Sequence, residues 1–339
     1  MARTFTLKDL WAVKHLEQRG VGFDLRNSLV HPRTPSQSAV IGYLTRHHLG
    51  VVTCVHDDGG GGFVQVWPQG GALSWHLSYL SPSLNECPAA EDVWNVLLSQ
   101  LLRCASAQGM RRVFARCAED VEIESVLRQN GFGLVTREEV YVLTKPLTPV
   151  PAPRGLRRLD DGDQWSLQQL YGQAVPSLVQ KAEGLAPHEA RSPLQTLASP
   201  PDEHWVWVDH GEIVAHLGVS HGERGTWVDG VVRPDRRGDV LPYLRYLLAQ
   251  QPCLPERPLY VCVPDYAVGL GWLLRTLGLE TFARQAVMVA QTAARETVPR
   301  KTLVPGLEGV DCGAPVAMVQ GRQARTCPSV GEIHVTAHY

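Results

Sequence analysis

The stretch Thr226-Trp227-Val228-Asp229-Gly230-Val231-Val232 is short, apolar and rich in β-branched residues, which predicts a strand. It runs through Arg233-Pro234-Asp235-Arg236-Arg237-Gly238-Asp239 into a segment with Val240, Leu241, Leu244, Leu247 and Leu248 at helical spacing. The intervening loop sets three arginines against two aspartates and carries a glycine. A strand that leads through such a loop into a helix N-terminus can bind an anion, because free backbone N–H groups and the helix dipole converge there.

Val232-Arg233-Pro234-Asp235-Arg236-Arg237-Gly238 resembles the acyl-CoA loop of the GNAT (GCN5-related) N-acetyltransferases. In that family a strand ending in Val-x-Pro leads into Arg-Gly-x-Gly-x-Gly or Ala, and the loop amides hold the CoA pyrophosphate. The resemblance implies acetyl-CoA as co-substrate and no metal. It implies cofactor contacts at Val231, Val232, Arg233, Arg236, Arg237, Gly238, Asp239 and Val240. After Gly238 the chain departs from the pattern: Val240 stands where the second glycine belongs, and Pro242 stands near the third small residue.

Outward from this stretch, the chain divides. Pro146, Pro149, Pro151 and Pro153 mark a stiff, extended linker. On either side the same landmarks recur. Asp9 and Trp11 correspond to Asp163 and Trp165, Leu80-Ser81-Pro82 to Val232-Arg233-Pro234, and Gly131-Phe132 to Gly278-Leu279. The offset shrinks from 154 to 152 to 147 residues, as differing loop lengths would produce. Each half reads β-α-α-β-β-β-α-β-α-β-β, with the last two strands a closing pair. In the first half helices are predicted over 7–18, 38–48, 92–108 and 119–130; in the second over 163–173, 188–197, 240–250 and 265–276. The element order resembles that of tandem GNAT proteins. It implies an α+β fold of two GNAT-like domains in tandem, each a mixed, mostly antiparallel sheet flanked by helices. The expected division is 1–146, a linker at 147–155, 156–295 with the acyl-CoA loop, and an extension over 296–339 with strand-like pieces at 316–319 and 332–335. The linker predicts two separate cores.

In the GNAT family the strand before the loop and the strand after the next helix splay apart around the thioester. Here these are 226–232 and 259–263. Amine acylation needs a base, a site for the developing oxyanion and an acid for the leaving thiolate. Asp229 lies in the first strand, near where the family often places a carboxylate base; the alternative is a strand-end residue at a bulge beside Gly230. The family acid is often a helix tyrosine, whose place is taken here by Leu274 and, in the first half, by Leu127. Tyr266 is the nearest substitute, about two turns upstream; the alternative is a residue that packs or caps the helix start. The loop after Leu80 holds Glu86, no cation and two prolines, which directs CoA to the second half. The implied activity is N-acyl transfer to a small-molecule or peptide amine. The alternative is a catalytically silent GNAT-fold binding module.

Composition bounds the function. The 339 residues are 44% hydrophobic and 19% charged, enough for a sizeable core. A formal net charge of −2 argues against non-specific nucleic-acid binding. No apolar run approaches a membrane span, and the first residues lack the apolar stretch of a signal peptide. The eight cysteines form no CxxC pair, the pattern of reduced thiols in a cytoplasmic protein. His216 and His221 are poorly spaced for a shared metal.

Overall fold

A computed structural model describes residues 2–31, 33–45, 51–57, 61–68, 73–184 and 202–292. The first half contains β1 (Ala2–Thr4), α1 (Leu10–Leu16), β2 (Val21–Gly22), α2 (Leu25–Val30), α3 (Pro35–Leu44), β3 (Val52–His56), β4 (Gly62–Pro68), β5 (Ser74–Ser81), α4 (Ala90–Ala107), β6 (Arg112–Ala118), α5 (Val121–Gln129) and β7 (Phe132–Leu143). The second contains β8 (Leu156–Arg158), α6 (Gln164–Ala174), α7 (Ser177–Glu183), β9 (Glu203–Asp209), β10 (Glu212–His221), β11 (Thr226–Val232), α8 (Leu241–Gln250), β12 (Leu259–Pro264), α9 (Leu270–Thr276) and β13 (Glu280–Gln291).

Local chemistry sets several boundaries. Thr34 caps α3 with Pro35 in its first turn and Gln37 closing the capping box, so this helix starts before the predicted residue 38. Asp120 accepts from the amides of Glu122 and Ile123 and starts α5. The loop Pro234–Asp239 is wound into a 3-10 turn that delivers the chain to α8. The predicted helix over 265–276 is only helical from Leu270, behind a left-handed Gly269. The closing strands, a pair in the first half and one or two over 281–291 in the second by the sequence, are one long strand in each, β7 and β13. Helices α2 and α7 were not anticipated; the helix expected over 188–197 and the strands expected in the extension lie outside the described residues.

All thirteen strands among the described residues join one sheet, in the order β1-β3-β4-β5-β6-β13-β7-β12-β11-β10-β9-β8, with β2 set against β5. Most neighbours are antiparallel; β5–β6 and β11–β12 are parallel. The centre of the sheet corrects the expectation of two separate cores. The last strand of the second half, β13, lies between β6 and β7 of the first. The last strand of the first half, β7, pairs in turn with β12 of the second. Apolar packing follows the exchange. Val93, Trp94, Leu97, Leu98 and Leu101 of α4 bury themselves with Ala286, Met288 and Ala290 of β13. Leu244, Leu247 and Leu248 of α8 share a core with Tyr141 and Leu143 of β7. Each core is completed by the other half, and residues 1–296 form one compact unit. Among the described residues no helix is long and apolar enough to cross a membrane.

Candidate functional site

Two parallel strand pairs open partway along. In the second half β11 and β12 pair from Thr226↔Leu259 to Val228↔Val261 and then part. β10 covers the other edge of β11 along its whole length, from His221↔Thr226 to Ala215↔Val232. Asp229 to Val232 therefore have no strand on the β12 side among the described residues. In the first half β5 and β6 pair from Ser74↔Arg112 to His76↔Phe114 and part in the same way. There the opening is filled. With β4 along one edge of β5, β2 lies on the β6 edge, with Val21 opposite Leu80 and Gly22 opposite Tyr79. Phe23 N donates to Ser78 O at 2.9 Å and Ser83 N to Arg19 O at 2.6 Å. Arg19 pairs with Glu86 at 2.9 Å across the mouth. The approach is so close that a Cβ on Gly20 would stand 2.4 Å from the Tyr79 ring and 2.7 Å from Leu80 O.

The second opening leads into a cavity of about 180 Å³. It draws Arg26 from α2, His76 and Arg116 from β5 and β6, and Glu138 and Gln285 from the exchanged strands. The second half supplies Tyr171 and Glu183 from α6 and α7, with Trp227, Asp229, Val231, Cys262 and Tyr266 around the opening. Both sequence-predicted catalytic candidates, Asp229 and Tyr266, thus line one cavity.

Asp229 is 3.9 Å from the Arg26 guanidinium, which also donates to Ser220. Burial pushes the Asp229 carboxyl above its usual range, against the pull of Arg26. Tyr266 packs with Tyr171, Val175, Val179 and Val231. Burial, then the Glu183 and Glu138 charges, raise its pKa. Glu183 accepts a hydrogen bond from the Tyr171 hydroxyl, and burial pushes it up to about 7. Arg116 is bound to Glu138 at 3.3 Å and lies 3.2 Å from His76 Nδ1. Burial pushes His76 and His216 down to about 3, so both stay neutral.

The loop arginines fare differently from one another. Arg233 pairs with Glu212 and Asp235, each at 2.7 Å, and Arg236 with Asp209 and Asp239. Arg237 has no carboxylate partner among the described residues, and its buried Nε has no hydrogen-bond partner there. Gly238 and Asp239 are exposed, whereas the Val240 side chain is fully buried in the α8 core. Val240 therefore presents no side chain to the loop mouth. Sequence reasoning missed Arg26, Arg116, Glu138 and Glu183. The signal for Arg116 was the one used for Asp229: a charge set in an apolar strand, Val113-Phe114-Ala115-Arg116-Cys117, whereas Glu138 stands in the charged run Arg137-Glu138-Glu139. Glu183 closes a helix whose existence was not foreseen.

No family model matches the chain, and no curated protein matches it significantly. Solved structures do. A tandem GNAT protein from the clavulanic acid biosynthesis pathway superposes with a TM-score of 0.50, covering 87% of this chain and 99% of that one at 13% identity. This chain has the tandem GNAT fold. A GCN5-related N-acetyltransferase from Sphaerobacter thermophilus is similar at a TM-score of 0.48 and 15% identity, covering 86% of this chain and 95% of that one. In the tandem GNAT frame, the two openings occupy equivalent places in the two halves, and among the described residues the first holds a strand of the protein's own backbone and the second holds none.

Proposed function

We propose that the protein is an acyl-CoA-dependent N-acyltransferase, with acetyl-CoA the donor, and that its reaction takes place at the β11–β12 opening. The observation that carries this reading is the free edge of β11 at the mouth of a cavity lined by ionisable groups. In this reading the two repeats are 1–146 and 156–295, joined by 147–155, and the setting is cytoplasmic, where the six described free cysteines stay reduced. The pantetheine pairs with the backbone at Val231 and Val232. The pyrophosphate lies at Arg237, Gly238, Asp239 and Val240, with Arg237 as the available cation. Arg233 and Arg236 hold the loop to Asp209, Glu212 and Asp235.

The acceptor, a small-molecule or peptide amine, lies in the cavity. Its nitrogen attacks the thioester carbonyl carbon; the C–N bond forms, the C–S bond breaks, and CoA leaves as the thiolate. Asp229 takes the amine proton. Its raised pKa makes it a stronger base than an ordinary carboxylate. Tyr266, kept protonated by its raised pKa, donates toward the thiolate sulfur.

A second reading, a silent binding module, is favoured by the pairing of two loop arginines with carboxylates. Calorimetry with acetyl-CoA, followed by thiol release assayed over a panel of amines, separates the two. The enzyme binds one acetyl-CoA per chain and releases CoA with an amine present. The silent module releases no thiol with any amine.

A further inference from the structure

We propose that the acceptor carries two cationic nitrogens, one acylated at the β11–β12 opening and the other held by Glu183; this rests on the acyltransferase reading above. The class is a diamine or polyamine, or a primary amine bearing a guanidinium.

The charge balance of the cavity carries the inference. Four carboxyl groups line it, Asp24, Glu138, Glu183 and Asp229, the last two pushed up by burial, against two guanidiniums, Arg26 and Arg116. The two histidines add no charge, since burial keeps them neutral. Both guanidiniums are engaged, Arg116 with Glu138 and Arg26 with Asp229 and Ser220. An acceptor carboxylate would thus find no unpaired cation, which disfavours a zwitterionic amino acid. Asp24 is tied to Asn27, whose side chain and backbone amides both donate to it. Glu183 differs. Its only hydrogen-bond partner among the described residues is the Tyr171 hydroxyl, and the one charge that favours its ionised form, Arg116, is already bound to Glu138. A largely desolvated carboxyl that shares its cation with another carboxylate either holds its proton or takes a further cation.

A second group points the same way. The Gln285 amide nitrogen donates to Glu138 at 2.6 Å, which fixes the orientation of the amide. Its Oε1 is buried without a hydrogen-bond partner among the described residues, an acceptor awaiting a donor at the cavity wall. Position completes the case. Glu183 is bonded to Tyr171, and Tyr171 packs with Val231 and Tyr266 beside the opening. A cation on Glu183 therefore belongs to a molecule whose other end reaches the thioester.

The test uses the full chain, with putrescine as the dication and butylamine as the monocation of the same length. Binding is measured by calorimetry at pH 8, where Glu183 is ionised, without acetyl-CoA. Putrescine binds at least about tenfold more tightly than butylamine, the scale of one buried charge pair. Glu183→Gln, a neutral isostere, abolishes that preference and leaves acetyl-CoA binding unchanged. In the wild type the preference shrinks at pH 6, as Glu183 takes up its proton; this readout needs no variant to fold. Equal binding of the two amines, or an undiminished preference in Glu183→Gln, overturns the proposal. Failure of the acyltransferase reading shows separately, as absence of thiol release while the putrescine preference stands.

Discussion

The two halves open the same strand pair and treat the opening in opposite ways. In the first, Val21 and Gly22 lie along β5 where its neighbour departs, and the Arg19–Glu86 pair closes the mouth. In the second, the edge of β11 from Asp229 onward has no strand against it among the described residues, and a cavity built by both halves lies there. The difference teaches how a duplicated fold can keep one site. A strand edge is a row of backbone donors and acceptors that must be satisfied by something. Filling one opening with the chain's own backbone converts it from a binding surface into structure.

The comparison is broken or sharpened first at the second opening. Asp229→Asn is expected to lower kcat by about a hundredfold or more, the usual worth of a general base, with the KM for acetyl-CoA little changed. Undiminished turnover would take Asp229 out of the mechanism. Arg237→Glu is expected to weaken acetyl-CoA binding by about 1–3 kcal/mol in calorimetry, the scale of a charge-assisted hydrogen bond. A complex with acetyl-CoA in both openings, or in the first alone, would break the comparison outright.

The plug itself can be tested. Gly20→Ala forces a methyl group against Tyr79 and Leu80 O and is expected to cost about 1–3 kcal/mol in denaturant unfolding. A variant as stable as the wild type would mean that the segment is held only loosely. Glu183→Gln is expected to act in the opposite sense and with a pH dependence. The folded pKa lies above the ordinary carboxylate value, at about 7. The stability this group allows is therefore fully present below the unfolded pKa and is lost as pH rises through about 7. The neutral variant escapes that loss. It gains about 1–2 kcal/mol over the wild type at pH 8, allowing for partial solvent access, and nothing at pH 4. A gain independent of pH would remove Glu183 titration as the cause. The smallest effect is Glu86→Lys, an exposed change at the closed opening, which shifts acetyl-CoA affinity by less than about 0.5 kcal/mol.

The sequence by itself determined what is local. The alternation and β-branching of 226–232, the spacing of Leu244, Leu247 and Leu248 and the recurring landmarks were enough for most of the elements and for the tandem fold, though not for α2, α7 or the single long β7 and β13. They also singled out Asp229 and Tyr266, and the structure shows that both line one cavity. Only the tertiary structure decided which strand pairs with which across the duplication. β7 and β13 have patterns that suit either half equally, and their exchange is settled by pairing between residues some 150 positions apart, such as Gln285 with Glu138. The plug at β5 and the Glu183 site have the same origin. Val21-Gly22 is too short to announce a strand, and a glutamate ending an unforeseen helix looks like any surface charge until α6, α7, β7 and β12 close around it. Periodicity encodes which face of an element is apolar; it does not encode which polar groups long-range pairing will bring together in the dry space between elements.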